Sequence, residues 1–213
     1  MPTFTPKLNW NPNDVNNPYY TTYNLYYGPA PHTLWMPNCT AWAAGRGNEV
    51  GNIQNTSGWP NNDGKGWYAD GIAMGLQGTT QFVPQLGACV CFDTPPELPN
   101  GGGHVAIIEE IHTDANNNVD YVRLSNSFYD ANNRTPQNAY PFFFMGTLYA
   151  SDLNHIYCDN GYILYQPFQG ILYNPLFPPG PIPPGPTPVV HKKIPIWAVS
   201  LPNRIRRYYG NRI

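Results

Sequence analysis

The stretch "HVAIIEEIHTDANNNVDYVRLSNS", His104 to Ser127, constrains the fold more than any other part of the chain. Two runs rich in β-branched and aromatic residues flank a turn-forming segment of Asp and Asn, which is the pattern of an antiparallel hairpin. Side chains alternate along a strand, so His104, Ala106 and Ile108 share one face. Symmetric closure over "HTDANNN" pairs Ile111 with Val119 and sets Ile108 opposite Val122, Ala106 opposite Leu124 and His104 opposite Asn126. The last six side chains fall on one face, four apolar and two polar, with the polar pair at the open end. Opposed Cβ atoms lie about 5 Å apart, near enough for an amide to hold an imidazole in one tautomer.

Other runs extend the same pattern. "ACVCF" (88–92), "GYILYQ" (161–166) and "QGILYN" (169–174) read as strands. Upstream, Cys39 to Glu49 reads as a helix that Gly51 would end, and "GKGWYADGIAMG" as a second, short one. Helices first and an antiparallel sheet afterwards make an α+β domain. Residues 1–17 read as an irregular N-terminal arm and 18–175 as the domain. At Asn174 the composition changes to "PLFPPGPIPPGPTP", which makes 176–190 an extended proline-rich linker and leaves 191–213 as a tail.

Charge separates these regions. All 13 acidic residues lie before position 160 and only 5 of the 11 basic ones precede residue 190, leaving residues 1–190 at −8 and the last 23 at +6. A body of that sign excludes general nucleic-acid binding, so an anionic partner would be met through the tail, residues 191–213. No segment reaches the length of a membrane span, and "MPTFTPKLNWNPNDVNNPYY" lacks the basic patch and apolar run of a secretory signal, so synthesis in a cytoplasm is expected.

Two residues stand out for chemistry. Cys39 opens a helix, where the dipole is expected to favour the thiolate; by type alone, it is also a small core hydrophobe. His104 follows "NGGG", three glycines expected to leave open space beside it, and begins an apolar strand. His32, His112, His155 and His191 sit in loop or tail contexts that suit surface or capping roles. Cys89 and Cys91 are expected to point to opposite faces of their strand, and the four cysteines show no C-x-x-C metal spacing and no disulfide framework.

Taken in order, "NCTAWAAGRGNEVG", "GKGWYADG", "TTQFVPQLGACVCFD", "GGGHVAIIEEI" and "RLSNSF" resemble the CHAP family of cysteine, histidine-dependent amidohydrolases and peptidases, over roughly residues 18–175. The resemblance implies a papain-like α+β domain that cleaves an amide or peptide bond of peptidoglycan, with Cys39 as nucleophile and His104 as general base. The family's third position often reads Ser-Glu-Ser before an aromatic. Here it reads Ser-Asn-Ser, so Asn126 replaces the acid and can orient the imidazole without supplying full charge. It further implies a bacteriophage lysin, either an endolysin or a component of the virion, the contrasting reading being a non-catalytic wall-binding or structural module of the same fold. Asn38 and the backbone N–H of Cys39 are candidates for the oxyanion site, Asn38 being equally suited to cap the helix.

No cofactor is expected. "DANNNVD" has alternating oxygen ligands of the kind calcium takes, with Glu110 facing Asp120 in the symmetric register, but it lacks the glycine and distal glutamate of a helix-loop-helix calcium site and reads better as a solvated turn. The aromatics of "SGWPNNDGKGWY" and "NSFYDANNRTPQNAYPFFF" read as core or loop packing, with groove lining as the alternative.

Overall fold

In the computed structural model, residues 4–8, 38–49, 60, 63–129 and 143–174 are described. The linker 176–190, the tail 191–213, most of the N-terminal arm, His32, His191 and the segment 130–142 lie outside them. Helices α1 (Cys39–Glu49) and α2 (Gly64–Ala73) precede strands β1 (Gly78–Thr79), β2 (Cys89–Phe92), β3 (His104–Thr113), β4 (Val119–Ser127), β5 (Phe143–Tyr149), β6 (Asp152–Cys158), β7 (Ile163–Tyr165) and β8 (Phe168–Leu172). The strands form one sheet in the order β1-β8-β2-β3-β4-β5-β6-β7, every neighbour antiparallel. This is an α+β fold, with β8 returning to lie between β1 and β2.

The sheet buries both faces, differently. One face carries Phe92, Ala106, Ile108, Leu124, Leu148 and Ile156 in a single apolar cluster. The other packs Cys89, Cys91, Val105 and Ile107 against Ala43 and Ala44 of α1 and Trp67 of α2. Small residues on α1 let that helix lie close to the strands. Cys89 and Cys91 therefore share a face. The expected divergence fails because alternation separates adjacent residues, whereas residues two apart point the same way.

The hairpin forms on the expected strands but not in the symmetric register. Ile107 pairs with Ser125 and Ile108 with Leu124; after an irregularity, Glu110 faces Arg123, Ile111 faces Val122 and Thr113 faces Val119. Two irregularities offset one another: a bulge at Glu109 inserts a residue into β3, and another between His112 and Thr113 leaves Asp120 extra on β4. The net displacement is set at the turn, which Asp114 Oδ1 closes by accepting the backbone N–H of Asn116 at 2.8 Å and of Asn118 at 2.9 Å. Asn117 turns the chain at φ 63°. Glu110 consequently does not meet Asp120. At the open end the displacement is two residues, and an even shift leaves every side chain on its original face.

Strands β5 and β6 lie outside the runs that read as strands in the sequence. Phe143 and Phe144 are buried in β5, the first against Trp42 with ring centroids 5.3 Å apart, so this part of the aromatic run is core.

Candidate functional site

Asn38 starts α1. Its Oδ1 accepts the Thr40 N–H at 2.9 Å and the Thr40 hydroxyl at 2.8 Å, while its carbonyl accepts Trp42 N–H at 2.9 Å. This is helix capping, and it leaves the amide nitrogen as the end of Asn38 that faces away from the cap. Cys39 follows, half-buried, packed at the margin of the helix-side cluster and reaching the backbone of Val105, the residue after His104. Burial pushes its thiol up to about 11, with backbone hydrogen bonds from Val105, Thr40 and Cys39 itself acting in the opposite direction. The expected helix-end stabilisation of the thiolate is therefore outweighed by desolvation, and the resting group is a thiol.

His104 opens β3 almost wholly buried. Its ring stands 6.1 Å from that of Phe92, its partner across β2. Its Nε2 lies 2.8 Å from Asn126 Oδ1. Continuing the observed register sets Asn126 across from Ala106, so this bond runs diagonally between the strands, within reach of such side chains. The Asn126 amide donates through Nδ2 to the Leu124 carbonyl at 3.2 Å. That bond turns Oδ1 toward the imidazole, and an acceptor there requires Nε2 to carry the proton. Nδ1 is then the basic nitrogen, and it has no hydrogen-bond partner among the described residues. Burial pushes the imidazole down to about 4, with the Asn126 bond acting the other way.

The glycines before His104 are packed rather than open. Gly103 adopts φ +66°, and a Cβ there would stand 2.4 Å from Lys65 N and 2.6 Å from the Phe92 carbonyl. A Cβ on Gly64 would stand 2.7 Å from His104 N. The start of α2 is thus pressed onto the backbone of His104 and held by Lys65 N–H donating to Gly102 O at 2.8 Å and by Gln169 Nε2 donating to Lys65 O at 2.9 Å. Gly103 meets two demands at once, a left-handed backbone and a close approach.

The remaining expected groups fall elsewhere. His112 stacks on Tyr121 beside Glu110, and His155 pairs with Asp152, both partly exposed. Asp114 is spent on its own turn, where the Asn118 and Asn116 hydrogen bonds hold its carboxyl below the usual range. Among the described residues no three His, Cys, Asp or Glu side chains group so as to hold a metal ion, and no helix is long and apolar enough to cross a membrane.

The profile of the CHAP domain matches residues 26–127. The chain carries a CHAP domain. The matched span runs through both helices and ends with β4, so it contains Cys39, His104 and Asn126 together. Comparison with curated proteins and with solved structures gave no match. CHAP domains are cysteine, histidine-dependent amidohydrolases or peptidases of peptidoglycan, and that is the general class of activity this domain brings.

Sequence reasoning missed one set of residues beside the site. Arg46 of α1 and Glu109 of β3 form a buried ion pair, joined by Ser125 of β4. A signal existed: a single arginine in the alanine-rich run "AWAAGRG" of a chain with only 11% charged residues needs a buried partner.

Proposed function

We propose that this protein hydrolyses an amide or peptide bond of bacterial peptidoglycan by nucleophilic catalysis, with Cys39 as nucleophile, His104 as base and Asn126 orienting the imidazole. The observation that carries this reading is the Asn126–His104 bond, which commits the proton to Nε2 and leaves Nδ1 basic, next to the residue whose backbone the Cys39 thiol reaches. In the reaction the thiol gives its proton to Nδ1 as sulfur attacks the carbonyl carbon. The tetrahedral oxyanion is received by the Cys39 N–H and Asn38 Nδ2. His104 returns the proton to the departing amine, leaving a thioester, and then deprotonates the water that hydrolyses it to carboxylate and free thiol. Both groups start neutral, so proton transfer accompanies attack instead of preceding it.

The setting we propose is a bacteriophage lytic enzyme. What supports it is the sequence that follows the domain, a proline-rich spacer and a short tail bearing six basic residues, which suits attachment to anionic wall polymer or to a particle protein. The test is digestion of purified walls with mass spectrometry of the released fragments. Wild type should yield new amine and carboxylate ends at one type of bond, and Cys39→Ser none. Equal fragments from both proteins would remove Cys39 as nucleophile; no fragments from either would leave a wall-binding or structural module.

A further inference from the structure

Glu109 sits in the bulge of β3 with its carboxylate fully buried and saturated by donors. Oε1 accepts Arg46 Nε at 2.9 Å and Ser125 Oγ at 2.7 Å. Oε2 accepts Arg46 Nη2 at 2.9 Å and the backbone N–H of Lys7 at 2.8 Å. Arg46 also donates to Thr5 O at 2.6 Å and lies 5.2 Å from the centre of the Phe4 ring. Trp42 Nε1 completes the network by donating to Ser125 Oγ at 3.1 Å.

One carboxylate thus ties together α1, β3, β4 and residues 4–8. Burying both charges forfeits their hydration, and apolar side chains of similar volume commonly stabilise a fold as well or better. What the pair adds is direction. A two-pronged guanidinium–carboxylate contact fixes translation and rotation of one element on another, whereas the alanine surface of α1 would tolerate sliding. The three elements so fixed carry the chemistry: α1 begins with Cys39, β3 begins with His104, and Ser125 adjoins Asn126 on β4.

We propose that Arg46, Glu109 and Ser125 are positioning residues that set α1 against the β3–β4 pair, holding Cys39 at the start of α1 beside the start of β3 so that its thiol can approach Nδ1 of His104, with which it makes no hydrogen bond in the resting structure. This deepens the hydrolase reading, and only its kinetic test rests on that reading.

The experiment compares wild type with the uncharged pair Arg46→Met/Glu109→Gln and with Ser125→Ala, in the full chain, with folding checked by near-ultraviolet circular dichroism. Two quantities are measured: kcat and KM on walls, and the rate at which iodoacetamide alkylates Cys39 near neutral pH, mapped by mass spectrometry. Alkylation reports proton removal by His104 without needing a substrate. The folded double variant should lose about 10²-fold in kcat, the scale of a 1 Å misplacement, with KM within about twofold, and Cys39 alkylation should slow in parallel. Ser125→Ala should move both in the same direction by about tenfold, and it decides the matter if the double variant does not fold. Wild-type kcat and wild-type alkylation in a folded variant would reduce the network to a stabilising one. If wild type releases no fragments, the hydrolase reading fails, and alkylation still decides the positioning role.

Discussion

Asn126 is held at both ends: Oδ1 meets His104 Nε2 at 2.8 Å, while Nδ2 is tied to Leu124 O at 3.2 Å. Removing the side chain frees the imidazole to rotate but leaves the proposed nucleophile and base, Cys39 and His104, in place. Asn126→Ala should therefore keep a measurable rate, about 10- to 10²-fold below wild type in kcat. Asn126→Asp places a negative charge against the ring, which should raise the His104 pKa and move the acid limb of the pH–rate profile upward. An unchanged acid limb in that variant would show that residue 126 does not govern the base.

The depressed His104 pKa has two consequences of fixed sign. A base must be neutral, so kcat/KM should fall off near pH 4, where the folded imidazole protonates, instead of near 6.5. Between those values the unfolded chain binds a proton that the folded chain refuses. Stability should therefore decline as pH falls from about 6.5 to about 4, this one group accounting for about 3 kcal/mol. Thermal unfolding of wild type and His104→Gln across that range isolates the contribution, because every other acid-sensitive group is common to both. Parallel curves would mean that the folded imidazole titrates normally.

Asn38 caps the helix through Oδ1, and the proposed mechanism gives its Nδ2 a separate duty at the oxyanion. Serine keeps an oxygen for the Thr40 N–H but offers no amide donor, so Asn38→Ser should preserve the melting temperature within a few degrees while lowering kcat by about 10²-fold. A fall in melting temperature with kcat intact would confine Asn38 to capping.

At Gly103 the demands are steric. Gly103→Ala must accept φ +66° and a methyl 2.4 Å from Lys65 N. A loss of about 2–4 kcal/mol in unfolding free energy is expected from denaturant titration. A neutral result would mean that the start of α2 can retreat from His104 without cost.

Chelation should leave activity unchanged. The Asp114 carboxylate at the hairpin tip already accepts from Asn116 and Asn118, and among the described residues no three His, Cys, Asp or Glu side chains group so as to hold a metal ion. Loss of activity in EDTA that calcium restores would place a metal requirement elsewhere in the chain.

The hairpin, its faces and the His104–Asn126 partnership were legible because alternation of apolar and polar residues survives any shift by two. For the same reason the register was not legible. Nothing in the alternation of "HVAIIEEI" marks Glu109 as a bulge, and the turn is closed by one carboxylate chosen from a run of interchangeable Asp and Asn residues. Strands β5 and β6 were hidden in "FFMGTLYASDLNHIYC", where a glycine and a long aromatic run obscure the period. The thiol's resting state is not legible, because a helix start is visible in sequence whereas the desolvation that outweighs it comes from the cluster packed around Cys39.

The network at Glu109 also orders events as the chain folds. Lys7 lies 102 residues before the carboxylate that receives it, and Arg46 lies 63 before the same group. Closing loops of that span is costly in entropy and is rewarded only once β3 has paired. While a nascent chain has not reached Glu109, Arg46 has no anion to be buried with and its helix no fixed seat. The seat of α1 on the sheet is therefore settled only after β3 is in place.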